Sequence, residues 1–172
     1  MSASSLHESA TELLETWSAA TGPEQSLRQA VLAFLGSAPR GCLREHAAGH
    51  ITASAMVFSH DERAVLLTLH PRVGRWIQLG GHCEESDDTV QAAALREATE
   101  ESGIPDLRIE PGLYGLQAHP ITCSLGRPTR HLDLMFKIRA PKDAVPVRSS
   151  ESTDLRWWSV DSLPDDSDLL LR

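Results

Sequence analysis

Residues 95–104 read LREATEESGI, with glutamates at positions 97, 100 and 101. This spacing places the three carboxylates on one helix face, because an α-helix turns about 100° per residue. The same face carries Val90, Ala93 and Ala94, so all six side chains fall within about 120° of the helix circumference. The pattern predicts a helix whose first turns pack on a sheet and whose last turns line a site. A solvated charged face is the alternative, since runs of charge are usually solvated.

The three glutamates also predict a metal site. Neighbouring carboxylates repel one another, and a hard divalent cation reverses that repulsion. Mg²⁺ prefers oxygen ligands and is commonly held by a few carboxylates together with substrate phosphates. Arg96 directly precedes the first glutamate, where its guanidinium can pair with a carboxylate and hold its orientation.

Extending the segment upstream gives GGHCEESDDTVQAAALREATEESGI, residues 80–104. It resembles the Nudix box, G-x5-E-x7-R-E-U-x-E-E-x-G-U with U apolar, in its paired glycines and in the Arg-Glu, Glu-Glu and Gly-Ile matches at its end. Three departures are visible. The loop after Gly81 is one residue longer, Asp87 or Asp88 replaces the first Glu, and Leu79 stands where the box usually has Pro.

The resemblance implies an α/β fold, a Nudix-like α/β/α sandwich with a mixed sheet, and extends from His50 to about Pro164. Two amphipathic helices precede it, one from Leu6 to Trp17 and one around residues 27–35. We therefore expect an N-terminal helical extension over residues 1–45, packed on the core, and a Nudix domain over residues 46–172. A homodimer contact is the alternative use of the two helices.

The resemblance also implies hydrolysis of a pyrophosphate bond in a nucleoside diphosphate linked to another group. Glu97, Glu100 and Glu101 would bind Mg²⁺ or Mn²⁺, Gly80 would add a backbone carbonyl, and Arg96 would orient Glu97. The general base stays open. Glu100 or Glu101 can serve through a metal-bound water, and Glu151 is a further candidate, although ordinary loop charge is the preferred interpretation of it.

Substrate contacts are predicted less directly. Arg127, Arg130 and His131 precede a predicted strand and can bind a phosphate or ribose, although solvated cations in a turn are commoner. In ADP-ribose-type members a Pro tends to follow the box by about fifteen residues, and Pro120 is sixteen beyond Ile104. An ADP-ribose-like compound is thus one candidate beside nucleotide sugars, dinucleotides, oxidised nucleotides and capped RNA ends.

A second functional class is a catalytically silent Nudix-fold module that binds a nucleotide for regulation. Arg96, Glu97, Glu100 and Glu101 are all intact. A binding module has no physical need to keep three carboxylates, so the sequence favours catalysis.

Composition narrows the class of partner. A net charge of −8 disfavours broad nucleic-acid binding but permits a small anionic nucleotide-type substrate where cations compensate. No apolar run approaches the length of a membrane span, and the N-terminus shows no secretory pattern. Three cysteines without a CxxC pair suit reduced thiols, so we expect a cytoplasmic protein.

The remaining elements follow from local periodicity. Alternating runs predict a hairpin from residues 51–59 and 63–70, and RWIQLGG predicts a short strand. The box helix is expected from Asp88 or Thr89 to Ser102, ended by Gly103. Later strands are predicted at 107–119, 130–140 and 154–160, with a loop at 141–152.

Overall fold

The structure is a computed structural model that describes residues 3–122 and 126–167. Over these residues the chain forms three helices, α1 (Ala3–Thr16), α2 (Gly22–Ser37) and α3 (Val90–Ser102). The strands are β1 (His50–Phe58), β2 (Ala64–Leu69), β3 (Trp76–Ile77), β4 (Leu79–His82), β5 (Arg108–Ile109), β6 (Gly115–Thr122), β7 (Pro128–Arg139) and β8 (Asp154–Ser159). The predicted α/β class is confirmed.

The strands form one hydrogen-bonded sheet in the order β3-β2-β1-β7-β5. Outside this path β4 pairs with β1, β6 with β7 and β8 with β2. The ladder between β6 and β7 is antiparallel and runs from Gly115 opposite Met135 to Thr122 opposite Pro128. Among the helices of the described ranges, none has both the length and the apolar character needed to cross a bilayer.

Contacts divide the described chain into two compact units. The first unit contains residues 3–53, 81–94, 111–122 and 126–136, and the second contains residues 54–80, 95–110 and 137–167. The predicted domain boundary between residues 45 and 46 stays a prediction.

In the first unit, α1 and α2 contribute a buried apolar stripe that includes Leu6, Leu14 and Leu35. Helix α2 begins with a capping box between Thr21 and Glu24. The hydroxyl of Ser9 accepts a hydrogen bond from the Val90 N–H at 3.1 Å, which ties α1 to the first residue of α3.

Two of the three cysteines, Cys42 and Cys83, are buried in this unit. Cys123 lies outside the described residues. The expectation of reduced thiols stays a prediction.

In the second unit, an apolar cluster surrounds the last turns of α3. Ala98 and Ile104 are buried in it, and Leu95 packs against it. Gly103 ends the helix with φ of +63°, a left-handed conformation that favours glycine. The predicted helix end at Ser102 and Gly103 is thus confirmed. The other members of the cluster are Ala55, Val57, Leu66, Leu79, Leu107, Ile138, Ala140 and Leu155.

The prediction of one strand over residues 107–119 is wrong. The structure has two strands there, β5 and β6, each paired with a part of β7. Pro111 cannot donate to a ladder, and Gly112 takes φ of +88°, so the chain turns between the two strands. Similarly, the predicted strand through RWIQLGG is divided at Gln78 into β3 and β4.

Replacing Gly103 with alanine tests how tightly the end of α3 is fixed. A Cβ there would lie 3.0 Å from the Val147 Cβ and 3.2 Å from its carbonyl oxygen. Gly112→Ala is the matched control, because its φ is also positive but nothing lies within 4 Å of its Cβ. We expect both variants to lose about 1–2 kcal/mol of unfolding free energy from the backbone. Gly103→Ala should lose about 1 kcal/mol or more beyond that from overpacking. Equal losses in chemical denaturation would contradict a close contact with Val147.

Candidate active site

Glu101 is the most buried carboxylate of the predicted site, with 8% of its surface exposed. Its Oε2 accepts a hydrogen bond from the Gly80 N–H at 2.9 Å. Gly80 has φ of 136°, a backbone conformation that residues with a side chain rarely adopt. A glycine is therefore suited to this position, where the β4 backbone approaches the Glu101 carboxylate. Burial raises the pKa of Glu101 to about 7, opposed by the Gly80 N–H and reinforced by the charges of Glu97, Glu151 and Glu100.

Arg96 joins the other two helix carboxylates. Its Nη1 donates to Glu97 Oε1 at 3.0 Å and to Glu100 Oε2 at 3.2 Å. The Glu97 side chain is 14% exposed, whereas that of Glu100 is 61% exposed. Burial raises the pKa of Glu97, and the charge and hydrogen bond of Arg96 work against that rise. Arg96 thereby fixes the orientation of a half-buried carboxylate.

The three glutamates do not share one environment. Buried residues of α3 follow one stripe through Val90, Ala94, Ala98 and Glu101. Glu97 lies at the edge of this stripe and Glu100 lies in solvent. The expectation that the carboxylates continue the apolar stripe therefore describes Glu101 well and Glu100 poorly.

Glu151 belongs to the loop before β8 and is exposed. Its charge raises the pKa of both Glu97 and Glu101 as a secondary influence, after burial. The loop beside it is anchored by a 2.6 Å hydrogen bond from the Thr68 hydroxyl to the Ser152 hydroxyl. Glu151 thus lies within electrostatic range of the two more buried helix carboxylates.

This donor set fits a hard divalent cation. Four carboxylates act on one another here, and the guanidinium of Arg96 bonds two of them. Burial and the neighbouring negative charges both oppose the ionisation of Glu97 and Glu101. A cation that takes oxygen ligands, such as Mg²⁺ or Mn²⁺, would remove that opposition.

Asp87 and Thr89, at the end of the longer box loop, shape the start of α3. Asp87 is buried, and its Oδ2 accepts the Glu84 N–H at 2.8 Å. Thr89 caps α3, since its hydroxyl accepts the Ala92 N–H at 3.1 Å. Asp87 therefore closes the turn that leads into the helix.

The predicted substrate contacts Arg127, Arg130 and His131 belong to the first unit, whereas Gly80 and the carboxylates belong to the second. Both arginines are exposed, and Arg130 donates to the Thr129 carbonyl at 3.0 Å. His131 is half-buried, with the His50 ring centroid 4.9 Å from its own. Sequence reasoning missed His50, although the alternation His50-x-Thr52 and His131-x-Asp133 is a strand-type signal for one shared polar face.

A surface cavity of about 790 Å³ in the second unit contains none of the predicted site residues. Arg139, one of the cations that line it, is paired with Glu110 and Glu62, so the charge of Arg139 is already compensated. The other lining residues are His60, Asp106, Leu107, Arg108, Ala140, Pro141 and Lys142.

Glu101 should make the metal-free protein less stable as pH rises. Its pKa is about 7 in the fold against an ordinary 4.5, so its protonated form is favoured by folding. The stability it contributes is full below pH 4.5 and is lost as pH rises through 7. The measurement is the unfolding free energy of wild type and of Glu101→Gln in EDTA. The value for wild type should fall relative to that of the variant by about 3 kcal/mol between pH 4.5 and 8.

The control for the loss of one carboxylate is Glu12→Gln, which replaces an exposed glutamate on α1. A difference for Glu101→Gln that is the same at both pH values would contradict the raised pKa.

Comparisons with known proteins show the family and the fold. A family profile described as NUDIX domain matches residues 49–170. No curated protein gives a significant match. A NUDIX-family hydrolase from Clostridium perfringens superposes with a TM-score of 0.53 at 22% identity, covering 71% of this chain and 90% of that one.

Two further solved structures have the same TM-score of 0.53 at 21% identity. The MutT NUDIX hydrolase from Burkholderia pseudomallei is matched over 72% of this chain and 92% of its own. The E. coli dihydroneopterin triphosphate pyrophosphohydrolase is matched over 64% and 81%. These similarities show a shared fold, and the profile spans well over half of the sequence. The chain therefore belongs to the Nudix superfamily.

Proposed function

We propose that this enzyme hydrolyses the pyrophosphate bond of a nucleoside diphosphate linked to another group, with Mg²⁺ or Mn²⁺ as cofactor. The observation that carries the proposal is the buried helix end where Glu97 and Glu101 resist ionisation beside Glu100 and Glu151. A structural helix gains nothing from such a concentration of charge. A cation bound together with substrate phosphates would make it favourable.

Glu97, Glu100 and Glu101 would hold the cation, with the Gly80 carbonyl as a further ligand by family resemblance. When bound, the cation neutralises charge on the phosphates and lowers the pKa of a bound water. Arg96 keeps Glu97 and Glu100 oriented, and the Gly80 N–H fixes one oxygen of Glu101. These contacts set the ligand directions before substrate arrives, which limits the reorganisation needed during reaction.

Three glutamates are candidates for the residue that accepts the proton. Glu100 and Glu151 are exposed and can pass a proton directly to solvent. Glu101 is buried, and the Gly80 N–H holds one of its oxygens, so it would act from a fixed position. The three differ enough in environment for kinetics to separate them.

We further propose an ADP-ribose-like substrate as the first compound to test. Pro120, the residue that suggests it, lies exposed on β6 opposite Arg130 of β7. A cation beside this position offers a contact for a phosphate or ribose in a chain of net charge −8. The reaction class is also supported by the E. coli protein of similar fold, which is named a pyrophosphohydrolase.

A panel of nucleoside diphosphate derivatives with Mg²⁺ tests the reaction. We expect turnover of at least one compound, with a phosphate-bearing product detected. Glu97→Gln and Glu101→Gln should each lower kcat/KM by at least about a hundredfold, since a bound cation contributes several kcal/mol at the displacement. Glu12→Gln should keep full activity. Tight nucleotide binding without turnover on any compound would instead identify a regulatory binding module.

The pH dependence of kcat distinguishes a base from a metal ligand. Replacing the base by Gln should remove the acidic limb of the profile and lower kcat by about 10²–10⁴-fold. Replacing a residue that only binds metal should raise the Mg²⁺ concentration for half-maximal rate and leave the limb in place. The pH profiles and Mg²⁺ requirements are compared among three variants, Glu100→Gln, Glu101→Gln and Glu151→Gln. If all three retain the limb, the base lies outside this set.

A further inference from the structure

Three histidines from separate strands converge in the first unit. His50 lies on β1, His82 on β4 and His131 on β7. Their ring centroids are 5.1 Å apart for His50 and His82, 4.9 Å for His50 and His131, and 5.1 Å for His82 and His131. Each ring offers a nitrogen that lies within 4.8 Å of a nitrogen of the other two. The rings therefore form a nearly equilateral group around a common point.

The hydrogen bonding of His50 directs a lone pair into its buried surroundings. Its Nδ1 lies 3.3 Å from the His46 carbonyl oxygen, and a carbonyl only accepts, so Nδ1 carries the proton. In the neutral ring Nε2 is then an acceptor. Nε2 is buried and has no hydrogen-bond partner within the described structure, and His50 is 1% exposed. Metal-binding histidines commonly use their second nitrogen in this way.

His131 shows the same unsatisfied chemistry, because its Nε2 is also buried without a hydrogen-bond partner among the described residues. Burial lowers the pKa of His131 to about 3, which keeps the ring neutral. Neutral imidazole nitrogens gathered within 4.8 Å of one another are suited to a cation of the Zn, Cu, Fe or Ni type.

A buried carboxylate on the same strand as His131 is consistent with a bound cation. Asp133, two residues along β7 from His131, is 3% exposed. Its Oδ1 accepts a hydrogen bond from the Thr52 hydroxyl at 2.8 Å, and Thr52 lies two residues from His50 on β1. Alternate strand residues share a face, so histidines and a carboxylate follow the same faces of β1 and β7.

We propose that His50, His82 and His131 bind a transition-metal cation of the Zn²⁺ class, at a site made of different residues from the carboxylate site. Tetrahedral Zn–N bonds of about 2.0–2.1 Å place ligand nitrogens about 3.3 Å apart. Since the observed nitrogens are within 4.8 Å, modest side-chain rotations bring them to that spacing. Three histidines leave a coordination position open.

The test is Zn²⁺ binding by the full chain after EDTA treatment and desalting, measured by competition with a chromophoric chelator. We expect one tight Zn²⁺ site per chain, retained in excess Mg²⁺. His82→Gln and His131→Gln should each weaken it by at least about tenfold. Two controls should leave the affinity unchanged. His60→Gln removes an exposed histidine, and Glu101→Gln alters the carboxylate site.

Circular dichroism and thermal unfolding verify that each variant folds, and Zn²⁺ should raise the Tm of wild type more than that of either histidine variant. Co²⁺ provides a second readout that needs no variant, since imidazole ligation gives a visible ligand-field spectrum that Zn²⁺ should abolish by competition. Absence of a tight site in wild type, an affinity insensitive to both histidine substitutions, or loss of the site in Glu101→Gln would overturn the proposal.

Discussion

The hydrogen bond from the Gly80 N–H to Glu101 is the contact on which the carboxylate site depends. It links a strand backbone to a side chain of the last helical turn, at 2.9 Å and largely out of solvent. A buried carboxylate without such a donor would bear its full desolvation cost. Gly80 takes φ of 136°, which residues with a side chain rarely adopt. The conformation of one glycine thus brings its N–H to the carboxylate.

The same contact shows why stability and function oppose each other at this helix end. Apolar neighbours such as Ala98 and Ile104 anchor the helix and also remove water from the carboxylates. Burial then raises the pKa of Glu97 and Glu101, which means that their ionised forms destabilise the fold. Arg96 offsets part of this effect for Glu97. Removing the charges would stabilise the metal-free chain and would also remove the oxygen ligands that a phosphate-processing cation requires.

Sequence alone predicted the box helix, its end and the pairing of Arg96 with Glu97, because those features depend on residues within one or two turns. It did not separate the exposed Glu100 from the buried Glu101, since adjacent positions differ by only about 100° and neighbouring elements decide which is covered. The break between β5 and β6 was missed because apolar residues on both sides of Pro111 and Gly112 suggested one strand. The histidine cluster was missed because positions 50, 82 and 131 meet only through strand pairing.

The carboxylate and histidine groups also differ in the ions that they favour. Oxygen ligands held by Arg96 and Gly80 suit a hard cation that retains water and exchanges with substrate phosphates. Neutral imidazoles bind Zn²⁺-type ions far better than Mg²⁺, because their nitrogen lone pairs are softer donors. Ligand chemistry would therefore sort the two kinds of ion, with a transition metal at the imidazole group and Mg²⁺ at the carboxylates.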